Sequence, residues 1–395
     1  MRVSPRLRLQ VGVFAVIAAI LFIVTYVIPA TGAFDTSEPA EQGETQQGTV
    51  TRVLDEQVEQ GPAGDIVHRT LEVRVGDRTV TVEQSYTEED AMALDVDPGD
   101  KVLLQVSEGP EGETYFIAGF VRTTPLILLA VAFAGLVLLV GRWRGLTSLL
   151  GLGASLLVIV RFILPGILSG ADPVLISVIG ALVIMLTTLY LAHGVTAKTS
   201  VALLGTVIAL LLTAALAQIS ISVTKLSGLA DESAVTLQIL SAGDIDAGGL
   251  LLAGIIIGAL GVLDDVTVAQ ASTVFELHHA NPLLGARELY QRAMNVGRDH
   301  IASTVNTLVL AYAGAALPLL ALLALLTEPL DSLLNREFLS TEIVRTLVGS
   351  MGIVAAVPLT TALAAIVAGG GFFRTPLSAS ITRAPVEGSE EEREA

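Results

Sequence analysis

Two adjacent carboxylates, Asp264 and Asp265, lie inside an otherwise apolar run that extends from residue 249 to 271. An Asp at the centre of a membrane helix costs about 2.5–3.5 kcal/mol even on a lenient insertion scale, so it needs a partner, water or a bound cation. Gly254, Gly258 and Gly261 recur at helical spacing, and at 100° per residue Asp265 returns to within about 20° of Gly254. Ser272 and Glu276 continue that face. Small residues in a stripe let a neighbouring helix backbone approach closely. The spacing therefore predicts a packed face with Asp265 pointing into a bundle. Asp264 falls about 100° further round, towards a partner or a cavity. Two readings of the pair stay open: a cap or ion pair at a helix end near water, or part of a cation, proton or solute-gating site.

A second polar group follows. Glu276-Leu277-His278-His279 leads into a polar connection with Arg287, Glu288 and Arg292, which ends at Gly297-Arg298-Asp299-His300. Adjacent histidines do not share a helix face as an H-E-x-x-H pair does, so no metal site is assigned. The next apolar run opens with polar residues, and Asp299, His300, Ser303, Asn306, Thr307, Leu310 and Gly314 fall on one side of a helix. A membrane helix with such a side either hydrogen-bonds across a bundle or lines an aqueous path. The substrate or ion-binding candidates are thus Asp264, Asp265, Glu276, Arg298, Asp299, His300, Ser303, Asn306 and Thr307. Gly254, Gly258, Gly261 and Gly314 are the candidate helix-packing positions. No catalytic residue and no cofactor is assigned, because P-loop, nucleophile-elbow and dinucleotide fingerprints are all missing from the sequence.

The elements that must position these groups follow from composition. The chain is 52% hydrophobic and 15% charged, against roughly a quarter charged in a soluble protein, and its mean hydropathy is +0.70. That excess predicts an α-helical integral membrane bundle of about eight transmembrane helices, with the lipid bilayer as the principal partner. The first helix covers 9–29, after Arg2, Arg6 and Arg8. Seven more form a domain over 125–371, at 125–140, 146–164, 174–192, 199–219, 249–271, 303–326 and 346–368. Residues 232–240 read as a surface helix in an external loop. Arg and Lys concentrate in alternate connections, which places both termini in the cytoplasm.

Residues 35–122 differ in kind. More than half of the chain's 39 acidic residues fall there, within a net charge of −17. Alternating segments at 47–54, 69–75, 79–82, 101–106 and 114–121 are separated by the turns Gly76-Asp77, Asp97-Pro98-Gly99-Asp100 and Gly109-Pro110-Glu111-Gly112. They predict a small antiparallel β barrel or sandwich, inserted after the first helix and lying outside the cytoplasm. No basic stripe is present to displace counterions, so nucleic-acid binding is disfavoured. An extracytoplasmic protein or solute is the kind of partner that such a domain would meet, and an oligomer is open. The acidic tail, 372–395, reads as disordered. The chain has no cysteine, which removes disulfides and thiolate chemistry.

Three stretches resemble the YibE/F family of bacterial multipass membrane proteins. They are Gly258-Ala259-Leu260-Gly261-Val262-Leu263-Asp264-Asp265-Val266-Thr267, Gly297 through Leu308, and Ala311-Tyr312-Ala313-Gly314 with Leu317-Pro318. The resemblance implies the bacterial plasma membrane and a multipass topology, and it transfers no activity or catalytic residue. Three functions then compete. A transporter or permease component would use Asp264, Asp265 and Asn306 on an ion or small solute. A sensing or assembly protein would bind a partner through the β domain. An interfacial enzyme would work through Glu276, His278, His279, Asp299 and His300.

Overall fold

The computed structural model describes residues 5–30, 44–61, 64–87, 94–109, 112–325 and 328–370. The expected tail, 372–395, and the Pro110-Glu111 turn residues lie outside them. The described chain divides into two compact units, residues 36–149 and residues 1–35 with 150–395.

In the first unit, β1 (Thr45–Gly61), β2 (Gly64–Val75), β3 (Arg78–Thr87), β4 (Lys101–Gly109) and β5 (Gly112–Phe120) form one antiparallel sheet. Its order is β3-β2-β1-β4-β5. The outer strands β3 and β5 come side by side, and Arg78 bridges them with an ion pair to Glu113 at 3.5 Å. This connectivity is that of a partly open, OB-type Greek-key barrel. Valines and leucines alternate inward, so Val50, Leu71, Val73, Val82, Val102 and Leu104 are buried. Val75 pairs with Arg78 across a two-residue turn, Gly76-Asp77. Gly76 takes φ +61° there, as the first position of a type II′ hairpin turn requires. In the Asp97–Asp100 turn, Gly99 takes φ +104° and Asp100 N–H donates to the Asp97 carbonyl at 3.0 Å.

After the barrel comes α2 (Thr123–Val158), numbered after the N-terminal helix α1 (Pro5–Phe22). Between Leu126 and Val140 it is apolar and largely exposed, with Leu139 79% accessible. Its course breaks at Arg142, whose φ of 52° and ψ of −127° are not helical. A Cβ at Gly145 would run into the Val137 carbonyl, eight residues earlier. In a straight helix those residues stand about 12 Å apart, so the chain doubles back sharply here. The two runs expected at 125–140 and 146–164 fall on either side of this break.

The second unit contains the remaining helices: α3 (Pro173–His193), α4 (Ala197–Thr224), α5 (Glu232–Leu240), α6 (Ala247–Ala280), α7 (Ala286–Ala315), α8 (Leu317–Leu325), α9 (Leu330–Leu334) and α10 (Glu337–Gly369). The predicted surface helix at 232–240 is α5. Helices α4, α6 and α10 pack against one another, α3 lies on α6, and α7 lies on α10. Among the described residues, five helices are long and apolar enough to cross a membrane, or six if the bent pair α7–α8 counts as one.

Two expectations change. The connection after residue 271 is helical: α6 runs on to Ala280 and α7 starts at Ala286, leaving only a short turn. Arg287, Glu288 and Arg292 are good helix formers on an exposed helix face, and Glu288 pairs with Arg292 one turn on at 2.6 Å. The run expected as one span at 303–326 is bent by 64° between α7 and α8, where Pro318 lacks the N–H that a continuing helix uses.

A repeat is visible only with the fold in view. Ile23-Val24-Thr25-Tyr26-Val27-Ile28-Pro29 and Ile159-Val160-Arg161-Phe162-Ile163-Leu164-Pro165 share a pattern, and each forms a single π-turn, Ile23–Val27 and Ile159–Ile163. Ile28 N–H reaches the Ile23 carbonyl and Leu164 N–H the Ile159 carbonyl, one residue further back than in an α-helix. A proline after the turn cannot donate, and the wider turn absorbs the mismatch. The two π-turns pack on each other, with Arg161 over the Tyr26 ring at 5.6 Å.

Candidate functional site

The centre of the second unit is a polar seam between α4, α6, α7 and α10. Thr206 of α4 and Thr267 of α6 share a 2.5 Å hydrogen bond between fully buried hydroxyls. One turn along α6, Gln270 is 1% accessible. Its Nε2 donates to the Ala293 carbonyl of α7 at 3.1 Å and to Thr361 Oγ1 of α10 at 2.9 Å. Thr206, Thr213 and Thr361 each donate to a carbonyl one turn back on their own helix, which satisfies hydroxyls that lipid could not. Glycines permit the close approach. A Cβ at Gly205 would strike Thr360, at Gly352 Thr213, and at Gly297 both Gln270 and Val357. An amide in an apolar span, as Gln270 is, is a signal that the sequence itself carries, whereas the close packing of Gly297 is legible only in the fold.

The predicted glycine stripe lies on the less covered face of α6. Gly254, Gly258, Gly261 and Asp265 are exposed, whereas Leu252, Ile256, Leu260 and Leu263 of the same helix are buried. Nothing lies within 4 Å of a Cβ built on Gly254, Gly261 or Gly314. The large aliphatic residues of α6 are buried in the bundle, so the glycine face is left as an open groove. Asp265 therefore does not point into the bundle. Its neighbour Asp264 is half-buried, and its Oδ1 is enclosed with no hydrogen-bond partner among the described residues.

Helix α7 runs along this groove. A Cβ at Gly258 would stand 3.6 Å from the Tyr312 hydroxyl. At the other end Val296 shares a hollow with Ser272, Thr273 and Glu276. Between those fixed points, Ser303, Asn306 and Thr307 pass the level of Asp264 and Asp265. Their side chains are largely exposed, and no hydrogen bond joins the two helices there among the described residues. Thr307 donates to the Ser303 carbonyl at 2.9 Å, and Arg298 to Asn295 Oδ1 at 3.3 Å. Asp299 is exposed and His300 half-buried. The second polar cluster thus borders the groove without bonding to the first. His278 Nδ1 is buried without a partner, and no three His, Asp or Glu side chains converge to hold a metal among the described residues.

The family model for YibE/F-like proteins matches residues 129–370, well over half of the chain. The chain belongs to the YibE/F-like family. The match takes in the whole of α3 to α10, and hence both the polar seam and the groove. With five or six apolar helices of spanning length among the described residues, this YibE/F-like chain is a membrane protein. No curated protein and no solved structure matches it.

Proposed function

We propose that this YibE/F-like chain is a transporter or permease component that moves a cation, a proton or a small solute along the groove of α6. The observation that carries this reading is Asp265, a carboxylate opening onto a glycine-floored groove at mid-length in a 34-residue apolar helix. Lipid against that face would leave the charge unsolvated at a cost of several kcal/mol, whereas water or a passing cation satisfies it. Asp264 behind it, with one oxygen unpartnered, supplies a second ligand or proton carrier. Ser303, Asn306 and Thr307 give α7 a polar wall along the same path.

The topology that goes with this reading has eight spans. Taken straight, residues 123–168 would extend about 69 Å, against a hydrocarbon core of about 30 Å, so they count as two spans folded at Arg142. With α1, α3, α4, α6, the bent pair α7–α8 and α10, the total is eight. Arg and Lys placement then puts both termini in the bacterial cytoplasm, and residues 35–122 and α5 outside the plasma membrane.

The test is flux in proteoliposomes, with a pH-sensitive dye for protons and a panel of monovalent and divalent cations. Asp265→Asn and the groove-filling Gly261→Leu should each reduce flux at least about tenfold while the protein still purifies as a folded species. Flux unchanged by Asp265→Asn refutes the proposed path, and absence of flux for every ion in the wild-type chain refutes its cation and proton forms.

A further inference from the structure

The groove has a second chemical feature at its opposite end. Between α5, the start of α6 and the start of α10 lies a cavity of about 300 Å3, at the small end of the range for small-molecule sites. Its apolar wall is Leu237, Leu250 and Leu251, and its polar groups are Asp231, Ser233, Thr341 and Arg345. Gly254 of the open stripe belongs to the same lining, so the cavity leads into the groove.

The cavity has a built frame. Glu337 Oε1 accepts from Ser227 N–H at 2.6 Å, Ser227 Oγ at 2.7 Å and Gly228 N–H at 3.1 Å, which ties the roof segment to α10. Gly228 sits at φ +81°, and a Cβ there would collide with the Ala247 carbonyl. Asp231 caps α5 by accepting from Ser233 N–H at 2.7 Å. Arg345 uses Nη1 on Glu342 at 2.6 Å, which leaves Nε and Nη2 to donate elsewhere. Thr341 is only 5% accessible and belongs to the cavity lining, and its Oγ1 is enclosed with no partner among the described residues. A buried hydroxyl left unpaired costs about 1–3 kcal/mol, which a ligand bonding to it would recover.

The signs of the charges select the ligand. A simple anion at Arg345 would meet the carboxylates of Asp231 and Glu342, and a simple cation at Asp231 would meet Arg345. We infer that this cavity binds a small zwitterion of the α-amino-acid type. Its carboxylate lies on Arg345 and Thr341, its ammonium on Asp231, and its aliphatic side chain on Leu237, Leu250 and Leu251. This goes beyond the cation path through Asp265, and it stands on a different set of residues.

Titration calorimetry on the full chain in nanodiscs tests it, with leucine, 4-methylvalerate and 3-methylbutylamine as probes. Leucine should bind saturably, and each single-charge analogue at least about tenfold more weakly, because each leaves one charged partner unmatched. Arg345→Gln should abolish leucine binding, and Thr341→Val should weaken it by roughly threefold to tenfold, the loss of one hydrogen bond. Thr341→Val replaces an unpaired buried hydroxyl with a methyl of similar size, so it should melt at or above the wild-type temperature and stay informative if Arg345→Gln folds poorly. Asp265→Asn should leave leucine binding unchanged even where it stops cation flux, which separates this proposal from the transport reading. Absence of saturable leucine binding, equal binding of either analogue, or wild-type affinity in both Thr341→Val and Arg345→Gln overturns it.

Discussion

Replacing Gly297 by Ala distinguishes the buried seam from the open groove. The new methyl lands 2.5 Å from Gln270 Nε2 and 2.7 Å from Val357 Cγ1. Gln270 cannot simply swing away, because its amide is held by Ala293 and Thr361 on two other helices. Overpacking of this kind costs about 1–3 kcal/mol, and each displaced hydrogen bond adds about 1 kcal/mol. The better helix propensity of Ala returns about 1 kcal/mol. The net is a loss of about 2 kcal/mol, or a melting point lower by roughly 2–4 °C for a unit of this size. Gly261→Ala meets open space, so only the propensity gain of up to about 1 kcal/mol remains, and the sign reverses. Thermal melting of the detergent-purified protein, read as the monodisperse fraction after heating, measures both. Adding Gln270→Ala to Gly297→Ala should destabilise by less than the sum of the two, since the clash and the amide vanish together. The reasoning fails if Gly297→Ala melts at or above the wild type, or if the two alanines shift the melting point alike.

Other outcomes follow from the same contacts. Thr206→Val removes the hydroxyl that bonds Thr267 and should cost about 1 kcal/mol in the same melting assay, whereas the exposed Thr307→Val should cost less than half of that. Glu337→Ala frees the 227–228 turn from a charge-assisted acceptor worth about 1.5–3 kcal/mol, and hydrogen exchange should speed up across the α5 segment while α4 stays protected. The Asp231 carboxyl is held below its ordinary value, first by the Ser233 hydroxyl and N–H, and further by Arg345. Its contribution to the α5 cap is therefore present throughout the range above the ordinary carboxylate value and is lost as pH falls through the lowered one. Exchange protection of α5 should persist through mildly acidic pH and collapse only below it, and Asp231→Asn should flatten that transition.

Periodicity and composition were enough to place the apolar helices, the barrel strands with their Gly76 and Gly99 turns, and the surface helix Glu232–Leu240, because each depends on neighbours in sequence. The same local logic locates Asp264 and Asp265 in an apolar run. It could not choose between faces. At 100° per residue, a glycine stripe and a leucine stripe are equally legible, and which one is covered depends on what other helices bring. Here α4, α10 and α3 cover the aliphatic side of α6, so Gly254, Gly261 and Asp265 face an open groove, and only Gly258 meets a neighbour, the Tyr312 hydroxyl. Gln270, Thr361 and Gly297 lie far apart in sequence and meet only where α6, α7 and α10 cross, so the seam belongs to the tertiary structure alone. The same holds for the cavity, where Asp231 and Arg345 are more than a hundred residues apart and gain a joint meaning only from the α5 roof above them.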